Sequence, residues 1–124
     1  MSEAPFPTIR AVECAPWCTD EDGHTNATSR HDQNCWGCSH YVEPSLEDVE
    51  VNPAEEPGTY RFWPSVIGPC AYQGFNQRPC VYLHFKLASR GNGVLDDSCK
   101  LTAAEARQLA EHLVAVAKEI EAVR

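Results

Sequence analysis

Between Cys14 and His40 the chain places four cysteines, three histidines and two tryptophans in a stretch with few large aliphatic side chains. Such a segment cannot build an apolar core of its own, so something other than burial must hold it. The start, Met1-Ser2-Glu3-Ala4-Pro5, has no basic or apolar leader pattern, which predicts a chain without an export signal. The expected compartment is then a reducing cytoplasm, where thiols stay reduced. Seven cysteines cannot pair completely within one chain. In that setting cysteine-rich sequences bind metal more often than they form disulfides.

The spacing sharpens this expectation. Cys14-Ala15-Pro16-Trp17-Cys18 and Cys35-Trp36-Gly37-Cys38 are two hooks separated by a polar loop that carries His24 and His31. A tight turn brings two thiolates toward a common point, and zinc takes four soft or borderline ligands in a tetrahedron. Three ligand sets are open: the four cysteines of the hooks; Cys14, Cys18, His24 and Cys35; or the same set with His31 in place of Cys35. Residues 1–50 carry a net charge of −8, equal to that of the whole chain. Four thiolates leave a zinc site at −2 and three thiolates with one histidine at −1, so the acidic surroundings favour a histidine. Trp17 and Trp36 are expected to cover the site from water, and His40 to lie on the surface.

The same residues carry a resemblance. Cys14, Pro16, Trp17, Cys18, Gly23 and His24 at one end, with Leu101, Thr102, Glu105, Ala106, Arg107, Leu109 and Ala110 at the other, resemble a family of short actinobacterial and actinophage proteins of unknown function. Its members carry a Cys-Pro-x-Trp-Cys motif followed by histidine, and end in a Leu-Thr-x-x-Glu-Ala-Arg-x-Leu-Ala helix. This chain departs by having Ala15 between Cys14 and Pro16, and by a longer middle, residues 43–79, with Cys70 and Cys80 flanking its end. The resemblance implies Cys14, Cys18 and His24 as ligands and leaves the fourth open. Some members carry Asp-Gln-x-Cys, matched by Asp32-Gln33-Asn34-Cys35, which points to Cys35. The family brings no established activity.

The rest of the chain predicts an α+β domain: a small antiparallel sheet, one long C-terminal helix packed on a face, and the N-terminal zinc-stabilised loop region. A single domain is expected over 1–124. Within it lie a zinc-binding segment, 14–40, an acidic Pro-rich connection, 43–58, and a strand-rich region, 60–124, ending in a helix at 102–123. Pro5–Glu13 reads as a weak first strand and Leu46–Val51 as a short one. Tyr60–Ile67 is aromatic and β-branched but interrupted by Pro64, and Gly68-Pro69 and Gly74–Pro79 read as breakers. Val81–Ala88 alternates with a period of two, and Ser89–Gly93 is a turn toward a strand at Val94–Cys99. Thr102 and Glu105 form a capping box. From Ala106 to Ile120 apolar residues recur at steps of three and four, one stripe facing a core.

Several function classes lose support. No apolar run of about 18 residues predicts a membrane span. The acidic balance argues against a nucleic-acid surface, since phosphate contacts need clustered Lys and Arg. No protease, deaminase, hydrolase or phosphate-loop motif is present, so no enzyme is expected. The expectation is a structural zinc site in a module that binds an unknown protein partner. A nucleic-acid-binding zinc finger and a redox or iron–sulfur sensor are the alternatives. Cys70, Cys80 and Cys99 are expected as buried thiols, with a Cys70–Cys80 bridge as the alternative. Asn26-Ala27-Thr28 matches a glycosylation acceptor that a cytoplasmic chain would not use.

Overall fold

The computed structural model describes residues 14–19, 34–89 and 93–122. The weak strand at Pro5–Glu13, together with His24, His31 and Asn26, lies outside these residues. The architecture is α+β. Among the described residues six strands, β1 (Cys35–Trp36), β2 (Val49–Pro53), β3 (Tyr60–Pro64), β4 (Val66–Gln73), β5 (Cys80–Ser89) and β6 (Gly93–Leu101), precede one helix, α1 (Ala103–Ala122). A four-stranded antiparallel sheet has the order β1-β4-β5-β6, and β2 and β3 form a separate two-stranded ribbon.

The alternation in Val81–Ala88 sets the two faces of the main sheet. Pro69 lies opposite Leu83, Ala71 opposite Val81, and Val81 opposite Leu101, so these side chains share one face. Tyr72, Tyr82, His84 and Lys100 occupy the other. The helix begins on the first face with the expected box: Glu105 N–H donates to the Thr102 hydroxyl at 3.1 Å, and Thr102 N–H donates to the Glu105 carboxylate at 2.8 Å. Ala106, Leu109, Ala110 and Leu113 then line an apolar cleft of about 360 Å³ with Val81, Leu83 and Leu101.

Two expectations need correction. The helical stripe does not face a core along its length. No helix residue is buried, and Leu113, Val116 and Ile120 are 63%, 54% and 71% exposed. Between Ala106 and Leu113 α1 packs on β5 and β6, and its later turns leave the stripe exposed. Gly68-Pro69 does not break the chain either; both residues lie inside β4. Pro69 accepts from His40 N–H at 3.0 Å, which puts its missing N–H on the His40 side and leaves the β5 ladder intact. A Cβ at Gly68 would collide with the carbonyl of His40, so this close crossing requires glycine.

Ser65, 3% exposed, joins the ribbon to the sheet between β3 and β4. Its hydroxyl donates to the Asp48 carbonyl at 2.7 Å and accepts from Ala88 N–H at 2.9 Å. A contact of 3.6 Å between Lys86 and Glu50 adds a second tie. Among the described residues no helix is long and apolar enough to cross a membrane.

Candidate metal centre

The first hook is a turn whose sequence suits it. Cys18 N–H donates to the Ala15 carbonyl at 3.0 Å, and Pro16 takes the second turn position, where its fixed φ is already correct. The hook is fastened to β1 by Thr19, whose N–H and hydroxyl both donate to the Trp36 carbonyl, at 2.9 and 3.0 Å. The fit is close at Gly37, where a Cβ would lie 3.2 Å from the Ala71 Cβ and 3.5 Å from the Trp17 carbonyl oxygen.

This docking gathers three thiols from two distant stretches of chain. The sulfurs of Cys14, Cys18 and Cys35 lie within 4.8 Å of one another. Tetrahedral Zn–S bonds of about 2.3 Å imply sulfur separations of about 3.8 Å, so a small inward movement would close the set on one ion. Cys35 is 2% exposed and its partners are half-buried. Burial, then the neighbouring Cys18 and Cys35, push the Cys14 thiol up to about 11. Burial also pushes Cys35 up, against a hydrogen bond from the backbone of Ala15. Three crowded thiols resist ionising together, and a dication would relieve that repulsion by neutralising their charge. The cluster can therefore hold a metal ion.

A model of a domain of unknown function, DUF6907, matches residues 4–124. The chain belongs to the DUF6907 family. No curated protein and no solved structure matches it. The DUF6907 match spans both hooks, His24 and the helix, and its description carries no activity.

Within this DUF6907 chain the predicted ligands divide. Cys14, Cys18 and Cys35 come together; His24 lies outside the described residues, as does the alternative His31. Cys38 is exposed and is not part of the cluster. The backbone explains why. Gly37 N–H donates to the Ala71 carbonyl and His40 N–H to the Pro69 carbonyl, so Cys38 and Ser39 together stand opposite the single residue Cys70. Cys38, three residues beyond Cys35, falls on the face opposite the Cys35 sulfur by ordinary strand alternation, and the extra residue, a β-bulge, keeps Ser39 on that side as well. Ser39 donates to the Cys70 sulfur.

Trp36 also differs from expectation. Neighbours in a strand point to opposite faces, so Trp36 turns away from the Cys35 sulfur. It packs on Tyr72 and Tyr82 instead, with ring centroids 4.3 and 5.1 Å away. Trp17 is half-buried beside the hook. Cys70 and Cys80 are free thiols, Cys70 buried and Cys80 half-buried, and Cys99 is exposed rather than buried.

Sequence reasoning missed a second cluster, on the sheet face carrying Trp36. Tyr41 O–H lies 2.7 Å from His84 Nδ1, and His84 Nε2 lies 2.6 Å from Asp96. His84 is thus satisfied at both ring nitrogens. The period-two pattern placed Tyr82 and His84 together, but their partners Tyr41 and Asp96 depend on strand pairing that spacing does not reveal.

Proposed function

We propose that this chain is a small zinc protein whose ion is structural and whose role is to bind another protein, in regulation or in phage–host interplay. The observation that carries the reading is the convergence of Cys14, Cys18 and Cys35 from two separate hooks. His24 is the proposed fourth ligand, on the resemblance of the Cys-x-Pro-Trp-Cys…His pattern alone. Zinc suits three thiolates and an imidazole better than hard cations, which prefer oxygen. Such a set closes the coordination sphere and leaves no position for substrate, so the proposed role is not catalytic. The free thiols it needs suit a reducing cytoplasm.

The ion would supply what residues 14–38 lack, a centre around which a polar segment can pack. Chelation is the test. Removing zinc should weaken the Thr19–Trp36 contact and speed hydrogen exchange at amides of residues 14–19 and 34–38, while α1 keeps its helical circular dichroism. Unchanged exchange and melting after verified metal removal would refute a structural role. A brown protein carrying iron and sulfide would favour the sensor reading. DNA binding that persists in moderate salt would favour the nucleic-acid reading.

A further inference from the structure

Among the described residues two apolar faces lie open. The ribbon register pairs Val49 with Pro64, Val51 with Phe62, and Pro53 with Tyr60. Paired residues share a face, so these six side chains lie on one side of the ribbon. All six are exposed, Phe62 by 64% and Tyr60 by 59%. An isolated two-stranded ribbon is marginally stable without cover. The second open face is the distal stripe of α1, Leu113, Val116 and Ile120.

The ribbon is the longer of the two. Five ribbon residues span about 17 Å at ~3.4 Å each. Leu113 to Ile120 spans about 12 Å at ~1.5 Å per residue. Two strands about 4.8 Å apart make a ribbon of about one helix width.

We propose that a second copy of this chain covers both faces, the ribbon of each copy lying on α1 of the other about a twofold axis. The reciprocal contact closes with two copies and leaves neither patch open. Its area also suffices. Val49, Val51, Tyr60, Phe62, Leu113, Val116 and Ile120 are 48–71% exposed. At roughly 100 Å² per aliphatic and 200 Å² per aromatic side chain, they offer about 500 Å² of apolar surface per copy. With apolar atoms forming about 65% of a homodimer interface, the total is about 800 Å² per partner, the size of a standard stable interface. This deepens the protein-interaction role proposed above, on which it rests, by naming the partner; the ion does not enter it.

Sedimentation of the zinc-loaded full chain tests the proposal, in a phosphine reductant so that exposed Cys38 and Cys99 cannot cross-link copies. At about 100 μM, where even a micromolar Kd yields mostly dimer, the mass should be about twice 13.8 kDa. Phe62→Asp and Val116→Asp should each weaken association at least ~10-fold while zinc content and circular dichroism stay unchanged. Tyr60→Asp and Ile120→Asp replace them on the same faces if either variant misfolds. A zinc-loaded monomer at about 100 μM overturns the proposal and leaves the wider role to a different partner. A dimer sensitive at only one of the two faces overturns the reciprocal arrangement.

Discussion

Thr19 donates twice to the carbonyl oxygen of Trp36, from its N–H at 2.9 Å and its hydroxyl at 3.0 Å. That oxygen fastens the Cys14–Cys18 hook to the strand that presents Cys35. Thr19→Val keeps the backbone bond and the side-chain shape and removes the hydroxyl. One hydrogen bond contributes about 0.5–1.5 kcal/mol, so zinc affinity should fall roughly 2- to 10-fold in a chelator competition. An unchanged affinity would show that the hydroxyl adds nothing to the docking of the hook.

A separation of three along the strand puts Cys35 and Cys38 on opposite faces, although their spacing makes them look like a pair of ligands. Cys35→Ser should abolish stoichiometric zinc binding, because a hydroxyl is a poor substitute for a buried thiolate ligand. Cys38→Ser should leave zinc content and melting temperature unchanged. Elemental analysis of both variants checks this, and zinc loss in Cys38→Ser would contradict the exposed placement of that thiol.

Acidity should act in opposite directions on the two forms of the protein. In the metal-free chain Cys14 is pushed up to about 11 from its ordinary 9.0, chiefly by burial, and Cys35 shifts the same way. The folded state then holds protons that the unfolded state releases. Stability is full below about pH 9 and falls as pH rises toward 11. The zinc form binds thiolates, so acidification should release the ion. Denaturation midpoints of both forms across pH give the two slopes.

Ser65 is a rivet between ribbon and sheet. Ser65→Ala leaves Ala88 N–H without the hydroxyl it donates to and the Asp48 carbonyl without the hydroxyl it accepts from. A loss of about 1–3 kcal/mol in chemical denaturation is expected, the penalty for an unsatisfied buried group. Hydrogen exchange should quicken first in β2 and β3.

Much of this was legible in the residues themselves. Thr102 and Glu105 mark the helix start because a cap is a local device, and Val81–Ala88 shows its strand through period two. Pro16 announces the first hook. The features that stayed hidden depend on long-range pairing. Pro69 looks like a breaker until His40 is known to lie on its donor-less side. Cys38 looks equivalent to Cys35 until pairing with β4 shows that the segment is extended, and alternation then puts the two on opposite faces. Ser65 gives no local sign of its two backbone partners. The apolar stripe of α1 is visible in sequence, but how much of it is covered depends on how the helix lies on a sheet assembled from distant segments.

The central claim is that Cys14, Cys18 and Cys35 share one metal ion. Native mass spectrometry of the protein purified under reducing conditions, followed by thiol mapping after acid release, tests it most directly. One zinc per chain, lost in Cys35→Ser and retained in Cys38→Ser, with every thiol free after release, is the predicted result. A metal-free chain carrying a disulfide between any two of Cys14, Cys18 and Cys35 would contradict it.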